Sequence, residues 1–388
     1  MTTIAYVHHK NVLQASSTTR ASQAGFRGMA QFMTDAVRGV FGNLHYIAPL
    51  RNIPSPSAGL RILSKNFGHG KYFDWAEPSL SRNYARQLRR KLASVNVDVV
   101  LASEFKHVAF LKCPQTLVAW QDACYAHMAE SYPWGEGLCQ RTIRDIERLD
   151  RQTLENADLI ALPSEWAVQY ARDKYPATAE KVVAIPWGAN IHCDRTEEDI
   201  NRIGEAKSTA TCKLLFCGVE WARKGGDIAL AITKRLNETG LPTELVVVGC
   251  SPPNEEDLPE YVTLKGFIDK NSRSGQAELN TLFSEAHFLV LLSKAENFGL
   301  VICEAGSFGL PSIGSKAGGI TSAIREDING KTFALDSPLE QYSEFISGLF
   351  ADPEAYRKLT LSTYADYCSR LSWEAAAKEL KANIERLK

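Results

Sequence analysis

HFLVLLSKAENFGLVICEAGSFGLPSIGSKAGGI, residues 287–320, reads as strand, loop, helix and strand in immediate succession. Phe288–Leu292 is a short, wholly apolar run, the pattern of a strand buried on both faces of a parallel sheet. A helix is expected from near Phe298, ending before Gly309-Leu310-Pro311, because glycine then proline is the usual stop at a helix C-terminus. Ser312–Gly314 follows as the next strand. Two glutamates stand out. Glu304 falls about a turn and a half into the helix and Glu296 just ahead of it. Eight residues at 100° each leave them roughly 80° apart if the helix extended that far, so both would face the strand ends. First-turn amides, unpaired within the helix, make an anion site there. Taken singly, Glu296 reads as a helix cap or dipole partner and Glu304 as a solvated helix residue.

The same alternation extends in both directions. Apolar runs near Ile4–Val7, Leu44–Ala48, Val97–Ala102, Thr116–Trp120, Leu159–Pro163 and Val182–Pro186 are separated by helical patterns such as Gly28–Val40 and Tyr84–Ala93. A second series follows near Lys213–Cys217, Leu245–Val248, Val262–Lys265, Phe288–Leu292 and Ser312–Gly314, with helices such as Ile228–Glu238 and Ala277–Glu285 between. Strand–helix alternation twice over means two doubly wound α/β domains. The boundary is expected after Pro186-Trp187-Gly188, giving a first domain over 1–187 and a second over 188–370. The polar stretch to Thr211 suits a linker, and the amphipathic segment Trp373–Leu387 within 371–388 returns toward the first domain. Ligands of such proteins sit at the carboxyl ends of the strands.

AENFGLVICEAGSFGLPSIGSKAGGI resembles the signature of family-four retaining glycosyltransferases of GT-B fold, a glutamate, seven residues and a second glutamate followed by a spaced glycine pair. Asn297 replaces the usual glycine. The resemblance implies two Rossmann-like domains facing a cleft, a C-terminal helix crossing back to the first, and a nucleotide-sugar donor with a UDP- or GDP-sugar expected. It implies that Glu304 holds the ribose and Glu296 the transferred sugar, with Asn297, Phe298, Gly299 and Leu300 lining the donor. It also implies retention of configuration, transfer of a hexosyl group to a hydroxyl of a glycan, glycolipid or lipid-linked acceptor, and a role in polysaccharide biosynthesis.

CKLLFCGVEWARKGGDIALAI looks like the family's first nucleotide-domain strand, ending at Gly218, with Lys224 at its phosphate-binding lysine. Alone, Arg223-Lys224-Gly225 is as readily a solvated basic turn. Val219 stands where the family commonly has arginine, and Arg223 is the candidate replacement. VTLKGFIDK puts Gly266 and Phe267 at a strand end where such enzymes hold the base; an ordinary strand-to-loop glycine fits as well. In the first domain, TLVAWQDACYAHM places Gln121 and Asp122 after a strand. Asp122 is the candidate acceptor contact, or a turn residue, and His127 stands in for a family histidine. Ser164 reads as a helix N-cap, and Trp187 stands where asparagine is usual. The family's Gly-Gly loop before the first helix is replaced by ASSTTRASQAGFRGMAQ, leaving Gly25 as the donor contact.

Composition narrows the classes. The 388 residues are 45% apolar and 23% charged, as in a globular enzyme. Net charge is −1, but residues 1–100 hold 13 Lys and Arg against 4 Asp and Glu. No aromatic-interleaved basic motif supports nucleic acid. The helix carrying Arg82, Arg86, Arg89, Arg90 and Lys91 is either a solvated face or a contact for anionic membrane. Nine cysteines without a C-x-x-C pair favour reduced thiols in the cytoplasm. No signal-peptide layout opens the chain and no apolar stretch would span a bilayer. With no D-x-D motif at a strand end, no metal and no resident cofactor are expected. Absence of G-x-G-x-x-G after the first strand counts against an NAD-dependent dehydrogenase. A nucleotide-sugar epimerase and a catalytically silent nucleotide-sugar-binding homologue remain as alternatives.

Overall fold

The computed structural model describes residues 2–8, 21–53, 59 and 70–387, the side chains of 21–28 excepted. The chain divides into two compact units. One is built on Arg27–Ile185 with the first strand and Ala377–Lys388, the other on Pro186–Ala376.

The first unit holds a six-stranded sheet in the order β2-β1-β3-β4-β5-β6, with β1 Ile4–Val7, β2 Leu44–Ile47, β3 Val99–Ala102, β4 Thr116–Trp120, β5 Leu159–Leu162 and β6 Val182–Ala184. Every pair is parallel. β1, β3 and β5 are buried along their whole length, as expected for strands covered by helices on both faces. Helix Pro78–Leu92 buries Ser81, Asn83, Tyr84, Ala85, Leu88 and Leu92 and turns all five of its predicted basic residues to solvent. Ser164 caps helix Glu165–Lys174 by accepting from the Ala167 amide (3.2 Å), as its position predicts.

The second unit holds β12-β11-β10-β7-β8-β9, again all parallel: β7 Cys212–Cys217, β8 Thr243–Val248, β9 Val262–Gly266, β10 Phe288–Leu291, β11 Ser312–Ser315 and β12 Gly330–Phe333. β12 is not among the strands expected from the sequence, because Gly-Lys-Thr-Phe is short and barely apolar; pairing with β11 makes it a strand. The stretch expected to be a plain linker contains helix Glu197–Glu205, opened by a capping box between Thr196 and Asp199. Both sheets are doubly wound, as the two runs of strand–helix alternation implied.

Candidate active site

In the second sheet the chain runs outward from β7 to β9, then returns to β10 and winds the other way. β7 and β10 are neighbours at that reversal, and a doubly wound sheet opens its ligand crevice at their carboxyl ends. The loops that leave these strand ends therefore decide the chemistry.

After β7 come Gly218 and Val219, the latter half exposed, then a one-turn helix Trp221–Lys224 closed by Gly225 in the left-handed region (φ 79°). Two glycines are needed here for steric reasons. A Cβ on Gly225 would collide with the Leu292 carbonyl, and one on Gly226 with the Trp221 indole. Their bareness lets the turn lie against the end of β10, where the Lys294 amide donates to the Arg223 carbonyl (2.8 Å). Lys224 thus ends the short helix, and the longer helix Gly226–Glu238 starts after it. The Lys224 side chain lies over Gly218, where even a methyl would press on its Cγ at 3.0 Å.

After β10 the helix expected near Phe298 begins two residues later, at Leu300. Gly299 sits in the left-handed region (φ 96°) and the helix is Leu300–Gly306, only seven residues. Glu296 is consequently a loop residue, and the helical angle between the glutamates does not apply. Two fixed cations stand beside Glu296. Lys224 Nζ is ion-paired with Glu296 Oε2, and Arg223 Nη1 lies 3.6 Å from the same oxygen. Arg223 also donates to the Ala295 carbonyl (2.8 Å) and pairs with Glu220 (2.5 Å). The distant glycine pair of the motif holds Glu296 from behind. The Gly319 amide donates to its carbonyl (2.8 Å), and Gly318, at φ 57°, approaches that oxygen too closely for any Cβ.

Glu304 is buried, not solvated. Both of its carboxylate oxygens accept from Lys270 Nζ, at 2.5 and 2.6 Å. Lys270 follows β9 in the loop after Gly266 (φ 65°) and the half-exposed Phe267. Nothing in the sequence singles out this lysine, because its spacing four residues beyond Gly266 carries no signal by itself. Phe298 is buried in the core, so its backbone alone is available to a ligand; Asn297 and Gly299 are buried too and Leu300 half-buried. Each lysine thus serves one glutamate, at the carboxyl ends of β7, β9 and β10.

In the first unit, Gln121 is buried and structural, accepting from the Phe105 amide (2.5 Å) and donating to the Ala123 carbonyl (2.5 Å). Asp122 is half-buried in the bend between β4 and helix Tyr125–Ser131, whose N-cap is Cys124. His127 does not point to chemistry. It stacks on Tyr170 at 4.0 Å and packs on Trp166 at 3.7 Å, and burial pushes its pKa down to about 4. The reversal of this sheet lies between β1 and β3, and their ends carry residues that no motif marks in the sequence. Glu104 there pairs with Lys106 and lies 3.6 Å from His107 Nε2, and the His107 ring faces Tyr84 and His8. Gly25 falls within helix Ala21–Phe41, not in a loop before it. Residues 15–20 of that expected loop lie outside the described residues.

Among the described residues no group of three or more His, Cys, Asp or Glu is placed to hold a metal ion, and no helix is long and apolar enough to cross a membrane. A hollow of about 560 Å³ lined by Asp194, Arg195, Asp199, Arg202 and Glu285 lies by the start of β10, away from the strand ends that carry the lysine–glutamate pairs.

The glycosyl transferases group 1 family model matches residues 211–352. D-inositol 3-phosphate glycosyltransferase of Segniliparus rotundus is 25% identical over 247 residues, 61% of this chain and 55% of that one. The sulfoquinovosyl transferase of Arabidopsis thaliana is 28% identical over 161 residues, 41% of this chain and 31% of that one. The chain spans 55% and 66% of the lengths of the first two curated relatives it matches. Among solved structures, sucrose-phosphate synthase of Thermosynechococcus elongatus superposes with a TM-score of 0.67 at 17% identity, over 100% of this chain and 99% of that one. Anabaena HepE, solved with UDP and glucose, superposes with a TM-score of 0.57 at 15% identity, over 99% and 100%. The chain has the GT-B fold, and residues 211–352, which carry Lys224, Lys270, Glu296 and Glu304, belong to the glycosyl transferases group 1 family.

Proposed function

We propose that the protein is a glycosyltransferase that moves a hexosyl group from a UDP- or GDP-sugar to a hydroxyl of a glycan, glycolipid or lipid-linked acceptor, with retention and without a metal. The observation that carries this reading is the pair of lysine-matched carboxylates at the ends of β7, β9 and β10. Glu304 accepts the ribose hydroxyls, while Phe267, half exposed three residues before the Lys270 that pairs with Glu304, offers a ring to the base. Charge develops on the departing diphosphate, and Lys224 with Arg223 stabilises it. Glu296 holds Lys224 in place and takes sugar hydroxyls. Asp122 on the first unit contacts the acceptor. The work is cytoplasmic, with the exposed basic face of helix Pro78–Leu92 set against an anionic membrane. That HepE was solved with UDP and glucose favours a UDP-sugar among the candidates.

A thermal-shift screen across UDP-, GDP- and ADP-sugars, followed by assay of free nucleotide released, tests the proposal. A raised melting temperature with one donor and its turnover in the presence of acceptor are expected. Stabilisation without turnover would identify a silent binding homologue, the reading that half-exposed Val219, in the place of the family's arginine, keeps in view. Absence of any stabilisation would sink the proposal.

A further inference from the structure

Lys270 is held as deliberately as the glutamate it meets. Asp269 Oδ1 accepts from both the backbone and side-chain nitrogens of Asn271, each at 3.0 Å, which folds the loop after β9. Ser272 caps helix Arg273–Glu285 through the Gly275 amide (3.0 Å), and Gly275 approaches the Asp269 carbonyl too closely for a Cβ. Gln276 Nε2 donates to the Lys270 carbonyl (3.0 Å). The backbone of Lys270 is thereby fixed on both sides, and its ammonium delivers one hydrogen bond to each Glu304 oxygen. The Glu304 side chain is 2% exposed and that of Lys270 40%. Burial pulls the lysine pKa down, but the Glu304 charge and hydrogen bond outweigh it and leave the pKa raised.

The hydrogen-bond count is informative. A carboxylate offers about four lone-pair positions. Lys270 fills one on each oxygen, which leaves one on each. A cis-vicinal diol presents two O–H donors at matching separation, and the third ammonium hydrogen is available to a diol oxygen. We propose that Lys270 sets the acceptor capacity of Glu304 to fit a ribose diol, so that the donor site takes ribonucleoside diphosphates and rejects their 2′-deoxy counterparts. This rests on Glu304 being the ribose contact of the proposed function. A 2′-deoxy ligand would leave one buried lone pair unfilled, a larger loss than a missing bond at an exposed site. Without Lys270 the carboxylate would have to admit water, and water substitutes for a hydroxyl without regard to the sugar.

Calorimetric titration tests this on the full chain, first with UDP, GDP and ADP, then with the tightest binder against its 2′-deoxy form. Wild type should prefer the ribonucleotide by roughly 10–100-fold, the range for a hydrogen bond to a charged group. In Lys270→Met, with a melting curve showing a folded protein, the preference should fall to within about threefold. Lys270→Arg should restore part of it, because a guanidinium fork also reaches both carboxylate oxygens. Should Lys270→Met not fold, Lys270→Gln carries the same comparison. An unchanged preference in the folded variant overturns the inference. So does an equal loss of affinity for both ligands, which would make Lys270 a general diphosphate cation. If wild type binds none of the three diphosphates, the proposed function falls and takes this inference with it; firm binding with an unaltered preference removes this inference alone.

Discussion

Lys224 and Glu296 form an ion pair between two loops that follow neighbouring strands, and their side chains are only 12% and 13% exposed. Pairs so shielded are not surface decoration. Removing one partner leaves a charge short of both water and a counter-ion. The pair also depends on two glycines. Gly225 lets the lysine turn reach β10, and Gly318 lets the chain pass behind Glu296.

Lys224 and Arg223 should separate under mutation. Arg223 bonds the Ala295 carbonyl and Glu220, so it braces the turn, whereas the Lys224 ammonium meets the Glu296 carboxylate. Lys224→Ala should lower kcat by about 3–4 kcal/mol of transition-state stabilisation, by analogy with loss of an oxyanion-hole donor. Arg223→Ala should lower kcat too, but less than Lys224→Ala because its guanidinium is also held by the Ala295 carbonyl and Glu220, and it should lower the melting temperature through loss of about 1–2 kcal/mol of hydrogen bonding. Steady-state kinetics with melting curves decide it. Abolished transfer in Arg223→Ala beside near wild-type turnover in Lys224→Ala would move the diphosphate contact to the arginine.

Activity should persist in excess EDTA. The motivation is that two cationic side chains already stand at the place where the diphosphate charge is proposed to develop, so a divalent ion there would add to charge that is already matched. Turnover is compared in EDTA and after adding back magnesium or manganese. Loss on chelation with recovery on metal would contradict the proposed chemistry.

The sequence is legible where the physics is local. Apolar runs between amphipathic helices locate eleven of the strands, and the Gly-Pro stop after Glu304 does end a helix. The hidden features are long-range. Gly299 in the left-handed region shortens the helix that carries Glu304, and no pattern in Glu-Asn-Phe-Gly-Leu announces that conformation. Lys270 lies 34 residues before Glu304, so only the fold brings them together. β12 is a strand because β11 offers it an edge. Spacing alone sets His127 near Asp122 and suggests chemistry, but the aromatic faces of Trp166 and Tyr170 claim its ring.

Lys207 should make stability depend on pH. It is buried, donates to the Tyr356 hydroxyl (3.0 Å), and desolvation lowers its pKa to about 7. The folded state therefore releases this proton near pH 7, while the unfolded chain holds it to about 10.4. Between those values the unfolded state binds more protons, so this group makes stability rise with pH. Below about pH 7 both states are protonated and the full cost of burying an ammonium is present. Lys207→Met should consequently raise stability at pH 6 by something on the order of 3 kcal/mol, offset by about 1 kcal/mol for the lost hydrogen bond. The advantage should shrink steadily as pH is raised toward 10, where wild type buries a neutral amine. Denaturant melts of the two proteins at pH 6, 8 and 9.5 give the difference directly, with titrations common to both cancelling. A difference that is constant across that range would mean that Lys207 does not titrate between the folded and unfolded states as its burial requires.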